Sequence, residues 1–323
     1  MPQRNSFKKY SDRYARFLAG KLALSRPLTV VADCSNGTTG MIIKKLSKVE
    51  RRKSNVKFIL LNDRPDGNFP AHGPNPMAAG AMDRLRGEVK KRKADLGIIF
   101  DADGDRVFFV DDRGRRVGAD EAGFALTQLF RPPFVVGTTA SWRLKKWKVD
   151  SRKVPACRQA GNVKGLKSIV FTSPVGHSFF KALMRKKKAS LGLEHSGHFY
   201  FKDFFYCDSG IFAAIQVMNF VSGLENGFAV WLDALPHYYR SGELNFRVAD
   251  KQVVLKMIEQ KYRRMAAKIS HSDGLTMEFG TKWWFNVRPS NTENLLRLNV
   301  EAMNKKDLRS ELQRMKALIL QNR

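Results

Sequence analysis

Short apolar runs alternate with longer amphipathic stretches through the first third of the chain. The runs have the length and aliphatic composition of buried strands, and the longer stretches repeat apolar residues at helical spacing. Because strands that alternate with helices form parallel βαβ units, this region predicts an α/β domain. The expected strands are 28–33, 56–61, 94–100 and 107–110, and the expected helices are 40–49 and 77–93.

A second α/β pattern follows from about residue 118 to residue 223. Residues 225–239 then form an expected connection, in which Pro236 marks a break. The expected helices are 120–130, 176–188 and 208–220, and the expected strands are 134–136 and 168–172.

From Glu243 onward the pattern changes, and a turn at Ser272-Asp273-Gly274 predicts a hairpin. The expected strands are 244–248, 283–287 and 295–300, and the expected helices are 251–265 and 306–320. The sequence therefore predicts an α/β protein with two mixed α/β three-layer domains and a small α+β C-terminal domain with an antiparallel sheet. The expected domain ranges are 1–115, 116–236 and 237–323.

The composition is that of a globular protein. Of the 323 residues, 43% are hydrophobic and 27% are charged, a balance that excludes a disordered or membrane-embedded chain. No run of about 18 apolar residues occurs, and the first ten residues lack the apolar core of a signal peptide. Three widely spaced cysteines, Cys34, Cys157 and Cys207, exclude a disulfide framework and a four-cysteine zinc site. We therefore expect a protein of the reducing cytoplasm.

The chain is strongly basic, with 58 Lys and Arg against 30 Asp and Glu and a net charge of +28. Such an excess raises the question of nucleic-acid binding. The basic residues are spread over the whole chain, however, and no RNA-recognition signature, zinc finger or aromatic-interleaved basic stripe accompanies them. The charge therefore points to anions in general and favours small anionic substrates, whose local concentration it raises. Because the basic residues are spread out and those signatures are missing, we do not expect nucleic acid as the partner.

Three carboxylates stand at alternate positions directly after the third apolar run. Asp101, Asp103 and Asp105, with Gly104 for the tight turn, can fold around one hard cation, and ligands bind at strand ends in open α/β sheets. Mg²⁺ suits a site with few protein carboxylates and a phosphate oxygen. An EF-hand is excluded because the strand-like residues 107–110 occupy the rest of its loop. An ordinary acidic turn remains the alternative.

A second polar segment carries a carboxylate and a hydroxyl two residues apart. Glu194 and Ser196 would lie on one side of an extended chain, and both groups are natural partners of sugar hydroxyls. A zinc site would require His195 and His198 with a third ligand such as Cys207, and no standard ligand spacing supports it. A polar loop after a strand is the other alternative.

Two further segments have an anion-binding composition. Arg288-Pro289-Ser290-Asn291-Thr292 offers a guanidinium, two hydroxyls, an amide and successive backbone N–H groups directly after an expected strand. Arg297 on the next strand could add charge, although a plain polar turn has a similar composition. His177 opens an expected helix, whose N-terminus attracts anions, although a histidine there often serves only as a cap.

Together, and in the same order, these segments resemble signatures of the α-D-phosphohexomutases, the phosphomannomutase/phosphoglucomutase family. Residues 101–106 resemble its magnesium loop, with Ala102 in place of a usual glycine. Residues 194–198 resemble its sugar-recognition loop, and residues 288–292 resemble its phosphate-binding loop. The resemblance covers nearly the whole chain and implies interconversion of hexose 1-phosphate and 6-phosphate, with glucose or mannose as the sugar.

The resemblance also implies a role for each candidate residue. Asp101, Asp103 and Asp105 would bind Mg²⁺, and Arg106 would lie near the phosphoserine. His177 would transfer a proton or contact a phosphate, and Glu194 and Ser196 would bind the sugar. The phosphate that does not react would be bound by Arg288, Ser290, Asn291 and Thr292.

The sequence departs from the family at its start. Family members have four domains, and the resemblance begins at the second. The first domain, whose Thr-Ala-Ser-His-Asn-Pro segment carries the phosphorylated serine, has no counterpart among these residues. Thr139-Ala140-Ser141 shares three letters with that segment, but it follows the metal loop, and Thr139 stands about where the family places a basic residue. We interpret Ser141 as a helix N-cap and expect no phosphoserine in this chain.

We therefore expect a Mg²⁺-dependent phosphohexomutase-like protein that acts on hexose phosphates. Met1 followed by a basic segment is typical of a true start, so a separately encoded serine-bearing domain is the expected partner. A sugar-phosphate-binding subunit or pseudoenzyme without turnover is one alternative, and a basic nucleic-acid-associated protein is another. Binding that weakens steeply with salt and ignores hexose phosphates would favour the nucleic-acid alternative.

Overall fold

The computed structural model describes residues 2–50, 56–145, 170–290 and 293–321, which form three sheets with accompanying helices. The predicted fold class is confirmed: mixed α/β sheets with helices precede a final domain with an antiparallel sheet. Contacts divide the described residues into two compact units. The first holds residues up to 135, residue 170 and residues 181–235, and the second holds 136–145, 171–180 and 236–321. The domain boundaries at 115 and 236 stay a prediction.

The first sheet is parallel on one side and antiparallel on the other. Its strands are β1 (Leu28–Asp33), β2 (Val56–Leu61), β3 (Leu96–Phe100), β4 (Val107–Val110) and β5 (Arg116–Val117), in the order β2-β1-β3-β4-β5. Strand β1 pairs in parallel with β2 and β3, whereas β4 runs antiparallel to β3 and β5.

Helices cover this sheet so closely that β3 is buried at every position. The helices of this part are α1 (Pro2–Ala19), α2 (Thr39–Glu50) and α3 (Asp83–Arg92). Gly97 faces α3, where a Cβ atom would lie 2.7 Å from Val89 Cγ2, so only glycine allows this approach. A strand buried on both faces needs apolar residues throughout, and β3 therefore ends abruptly at the polar residues that follow Phe100.

The second sheet has the strand order β10-β9-β8-β6-β7. Its strands are β6 (Phe134–Gly137), β7 (Val170–Ser173), β8 (Leu191–Leu193), β9 (Phe199–Phe201) and β10 (Cys207–Asp208). The accompanying helices are α4 (Ala119–Thr127), α5 (Trp142–Lys145), α6 (His177–Lys187), α7 (Gly210–Ser222) and α8 (Gly227–Asp233).

The third sheet is antiparallel, with β16 pairing β11, β12 and β15. Its strands are β11 (Tyr239–Arg240), β12 (Leu244–Arg247), β13 (Lys268–Ser270), β14 (Leu275–Phe279), β15 (Trp283–Pro289) and β16 (Leu295–Ala302). Helices α9 (Lys251–Tyr262) and α10 (Lys305–Leu320) contribute to one apolar core with these strands. The predicted hairpin is confirmed, because β13 and β14 pair across the turn at Ser272-Asp273-Gly274.

Several elements differ from the sequence prediction, among them three helices. Helix α1 was not expected, because its polar sequence buries only a narrow stripe that includes Ala15 and Leu18. Helix α8 lies within 225–239, where a plain connection was expected; Asp112 Oδ1 accepts a hydrogen bond from Ala229 N at 2.7 Å and so helps to start it. Helix α3 begins at Asp83 instead of residue 77, since Gly80 takes a φ of +80°.

Among the described helices, none combines the length and apolar character that crossing a membrane requires.

Candidate active site

The loop after β3 is closed by its own first carboxylate. Asp101 Oδ1 accepts hydrogen bonds from the backbone N–H of Gly104 at 3.0 Å and of Arg106 at 3.2 Å. Gly104 takes a φ of +82°, a conformation that side chains disfavour. Arg106 Nε donates to Asp101 Oδ2 at 2.6 Å, so this guanidinium is held against the loop. The sequence therefore builds a tight turn whose carboxylates converge.

The predicted metal ligands come together in this loop. Carboxylate oxygens of Asp101, Asp103 and Asp105 all lie within 4.8 Å of one another. Burial, the hydrogen bond to Asp101 and the neighbouring negative charges raise the pKa of Asp105 to about 6. A hard divalent cation prefers such oxygen donors and would offset this repulsion. The three residues thus fit Mg²⁺ in donor type and spacing.

The segment between β8 and β9 forms the second half of the site. Gly197 has a φ of +93°, and a Cβ there would lie 2.7 Å from Phe108 Cζ, so the turn requires glycine. Glu194 is 6% exposed, and its Oε2 accepts a hydrogen bond from Tyr200 Oη at 3.0 Å. Ser196 Oγ lies 2.8 Å from His198 Nδ1. The loop therefore holds its carboxylate and hydroxyl in defined positions.

His198 joins the two loops. Its Nε2 lies 3.4 Å from Asp105 Oδ2, and its Nδ1 lies 3.2 Å from Glu194 Oε2. Burial lowers the pKa of His198, but Glu194, Asp105 and Asp208 outweigh burial, and the pKa is raised above its ordinary value. Backbone contacts support the junction, since Val107 N donates to the carbonyl of Gly197 at 3.2 Å.

The contacts of His198 were not predicted from the sequence, where it entered as a possible zinc ligand and as the last residue of the 194–198 segment. His195, the other histidine of that alternative, has its Nδ1 3.1 Å from Asp120 Oδ2. In the described part of the chain, His195, His198 and Cys207 do not converge as a ligand group. The histidine two residues after Ser196, facing the same side of an extended segment, was the available signal.

The N-terminus of α7 packs against the carboxylate loop. Gly210 N donates to the carbonyl of Gly104 at 2.9 Å, and a Cβ at Gly210 would lie 2.7 Å from that same oxygen. Ser209 caps the helix by accepting a hydrogen bond from Phe212 N. This close approach of two backbones fixes the far side of the loop.

The predicted phosphate segment lies in the second unit, at the end of β15. Arg288 pairs with Glu243, with its Nη2 2.9 Å from Oε2, and Arg297 Nη2 lies 3.4 Å from Ser290 Oγ. The Nε atoms of Arg288 and Arg297 are buried and have no hydrogen-bond partner among the residues that the structure describes. Asn291 and Thr292 lie outside the described residues. Two arginines with unsatisfied buried donors beside a hydroxyl are suited to an anion.

His177 is the first residue of α6, follows Gly176 at a φ of +131° and is exposed. The predicted helix start is therefore confirmed. The proton-transfer or phosphate role of His177 stays a prediction.

Ser141 is a helix N-cap, as the sequence predicted. It is 4% exposed, and its Oγ accepts from Arg143 N at 3.2 Å at the start of α5. The same hydroxyl donates to Oε1 of Glu301 at 2.9 Å, and Glu301 is fully buried. Thr139 contributes its carbonyl to Arg240 Nη2 at 2.5 Å. The sequence offered no signal for Glu301, which lies on a strand far along the chain.

Comparisons with known proteins show the family of the chain. Sequence profiles of the phosphoglucomutase/phosphomannomutase family match residues 8–114 (alpha/beta/alpha domain II), 160–239 (alpha/beta/alpha domain III) and 243–318 (C-terminal domain). A phosphomannomutase of Escherichia coli (strain K12) is 32% identical over 295 residues, which are 90% of this chain and 62% of that protein. The chain belongs to the phosphoglucomutase/phosphomannomutase family.

Solved structures share the fold. A phosphoglucomutase/phosphomannomutase family protein from Burkholderia thailandensis has a TM-score of 0.79 at 26% identity, covering 95% of this chain and 64% of that one. N-acetylphosphoglucosamine mutase of Aspergillus fumigatus, in complex with GlcNAc-6P and magnesium, has a TM-score of 0.65 at 14% identity, covering 96% of this chain and 69% of that one. The chain thus spans about two thirds of the length of these relatives.

Proposed function

We propose that this chain acts in the interconversion of hexose 1-phosphate and hexose 6-phosphate, with glucose or mannose as the sugar. The observation that carries the proposal is the junction at His198, which brings the carboxylate loop and the Glu194 loop together. A metal-binding group beside a sugar-binding group is the arrangement that transfer of phosphate on a sugar requires. Membership of the family supports the same reaction class.

In this proposal Asp101, Asp103 and Asp105 would hold Mg²⁺. When bound, the cation would neutralise charge on the phosphoryl group that is transferred. Arg106, held against Asp101 at 2.6 Å, adds a fixed positive charge beside the same group. The Aspergillus relative in complex with GlcNAc-6P and magnesium supports both the metal and the substrate class.

The proposed substrate-binding residues form two groups. Glu194 and Ser196 bind sugar hydroxyls, and His198 can pass a proton because one ring nitrogen faces Glu194 and the other faces Asp105. Arg288 and Ser290, with Asn291, Thr292 and His177, bind the phosphate that does not react. The buried Nε donors of Arg288 and Arg297 support this assignment, since a phosphate oxygen would satisfy them.

The phosphoryl donor comes from outside these 323 residues. No Thr-Ala-Ser-His-Asn-Pro segment occurs among them, and the hydroxyl of Ser141 donates to the buried Glu301. We therefore propose that a serine-bearing domain supplies the phosphoserine. We place the reaction in the cytoplasm, where the free thiols of Cys34 and Cys207 stay reduced.

The test is a mutase assay with glucose 1-phosphate and mannose 1-phosphate, Mg²⁺ and a hexose bisphosphate primer, with and without a serine-bearing first domain added in trans. We expect turnover that depends on the added domain and that Asp103→Asn abolishes. Asp307→Asn, a half-buried carboxylate in the first turn of α10 and outside the proposed site, is the matched control and should leave turnover unchanged. Hexose phosphate binding without turnover under all conditions would replace the proposal with a sugar-phosphate-binding protein.

A further inference from the structure

The turn between β9 and β10 exposes one large aromatic side chain. A short 3-10 helix, Lys202–Phe204, is followed by Phe205 and Tyr206. Phe205 is 75% exposed, the highest value among the large hydrophobic side chains of the described residues. Single exposed apolar side chains are common on protein surfaces, so the exposure of Phe205 carries weight only together with the conformation of the turn and the charges beside it.

The backbone of this turn is strained as well. Phe205 and Tyr206 both have a φ of +58°, and the turn is closed by the hydrogen bond from Tyr206 N to the carbonyl of Phe201 at 2.9 Å. Consecutive left-handed residues in a hairpin turn favour Asn-Gly, and bulky aromatic residues are disfavoured there. Such strain persists where the surroundings impose it, and it clusters at functional positions.

At the base of the turn, Phe204 packs into a cluster of aromatic side chains. The ring of Phe204 lies 6.3 Å from Tyr14, 6.1 Å from Phe17 and 5.5 Å from Phe212, measured between centroids. Phe204 is therefore fixed in the first unit, while Phe205 projects beside it, 6.1 Å away. The exposed ring is held in place before any partner arrives.

Cations lie beside the turn, which itself also carries the exposed carboxylate of Asp203. The Arg185 guanidinium lies 5.8 Å from the centroid of the Tyr206 ring, and Lys202 is exposed at the start of the turn. Lys186, in the last turn of α6 beside Arg185, is exposed too. Within the described ranges, no carboxylate pairs with these three side chains. We call Phe205, Tyr206, Arg185 and Lys202, together with Asp203, the Phe205 surface.

We propose that the Phe205 surface binds single-stranded nucleic acid, with an unpaired base stacked on Phe205 and phosphates bound by Arg185 and Lys202. An exposed aromatic ring flanked by cations is the combination by which proteins hold single strands without sequence preference. A duplex is excluded because its bases are already stacked. A lipid surface is disfavoured because one ring next to Asp203 lacks the broad apolar face that insertion requires.

The test is fluorescence anisotropy with labelled 12-nucleotide oligo-U and oligo-dT at several salt concentrations. We expect Phe205→Ala to weaken binding about 5- to 100-fold and Phe205→Tyr to retain it, because the second variant keeps a stacking ring. The double variant Arg185→Gln/Lys202→Gln should reduce the slope of log affinity against log salt by about 1.4, since each phosphate contact with a single strand contributes about 0.7. Met265→Ala, another exposed apolar side chain, and Lys256→Gln/Lys282→Gln are the matched controls, and both should bind as the unchanged protein does.

Three results would overturn the proposal. One is equal binding by Phe205→Ala and the unchanged protein, when circular dichroism shows that both are folded. Another is equal affinity for a 12-base-pair duplex and the single strands. The third is binding of phosphatidylserine vesicles that depends on Phe205, without binding of either oligonucleotide, which would assign the surface to membranes. None of these readouts involves mutase activity, so the proposal stands or fails independently of the function proposed above.

Discussion

At the scale of single residues, one carboxylate oxygen links stability and chemistry. Glu194 Oε2 is approached by two groups, Tyr200 Oη at 3.0 Å and His198 Nδ1 at 3.2 Å. Of these two, only His198 also contacts the carboxylate loop, through Asp105. We therefore expect Tyr200 to have a structural role and His198 a catalytic one, and variants of the two residues can tell these roles apart. With the serine-bearing domain added in trans, we expect His198→Gln to lower mutase turnover by about a hundredfold or more. Tyr200→Phe should lower turnover only a few-fold, and equal losses measured by steady-state kinetics would contradict the catalytic role of His198.

The thiols of Cys34 and Cys207 differ in burial and therefore in reactivity. Burial raises the pKa of Cys34 to about 12, so at pH 8 only about one thiol in ten thousand is the reactive thiolate. Cys207 is partly exposed. We expect iodoacetamide at pH 8 to label Cys207 and to spare Cys34 in the native protein, whereas both react in urea. Peptide mass spectrometry reads the result, and rapid native labelling of Cys34 would show that β1 opens.

A histidine ties the loop 65–76 to the first sheet. His72 Nε2 lies 3.3 Å from Asp33 Oδ1, and this carboxylate raises the pKa of His72 above its ordinary value of 6.5. The charged pair therefore stabilises the fold fully below about pH 6.5, and this contribution is lost as the pH rises through the raised pKa. We expect the difference in unfolding free energy between the unchanged protein and His72→Gln to shrink between pH 6 and pH 9. A pH-independent difference in urea unfolding would contradict the ion pair.

At the scale of elements, the contact between α7 and the carboxylate loop depends on one missing side chain. A Cβ at Gly210 would lie 2.7 Å from the Gly104 carbonyl oxygen and 2.8 Å from that of Arg106. We expect Gly210→Ala to lower the free energy of unfolding by about 1–3 kcal/mol through overpacking. Gly223→Ala, at the other end of α7, meets nothing closer than 3.5 Å and should be neutral or slightly stabilising. Urea unfolding compares the two, and equal effects would rule out the close contact.

At the scale of the whole molecule, a cation that binds the folded protein would raise its free energy of unfolding and its Tm. Three carboxylates within 4.8 Å repel one another in a protein whose net charge is otherwise strongly positive. At a Mg²⁺ concentration several times the dissociation constant, binding adds about 1 kcal/mol, or about 2–4 °C in Tm. We expect this rise in differential scanning fluorimetry for the unchanged protein and for Glu225→Gln, an exposed control, but not for Asp105→Asn. A rise that survives in Asp105→Asn would place the cation elsewhere.

Much of the fold was predictable because it is locally encoded. The strands 28–33, 56–61 and 107–110 were predicted with the bounds that the structure has, since each is a short apolar run with polar neighbours. Prediction failed where an element depends on a contact with a distant part of the chain. Helix α8 is an example, because its first turn is stabilised by the hydrogen bond from Ala229 N to Asp112. It also failed for α1, whose apolar stripe is too narrow to stand out in a basic sequence.

The sequence by itself determined which chemical groups this protein carries and the strand or helix that each one follows. The three aspartates after β3 are an example, because hydrophobic periodicity and turn residues act over a few positions. Tertiary structure alone decided which groups meet. Folding brings His198 to 3.4 Å from Asp105, directs the hydroxyl of Ser141 to the buried Glu301 and leaves Phe205 in solvent. These outcomes depend on packing between segments that are distant in the chain, and no local pattern records them.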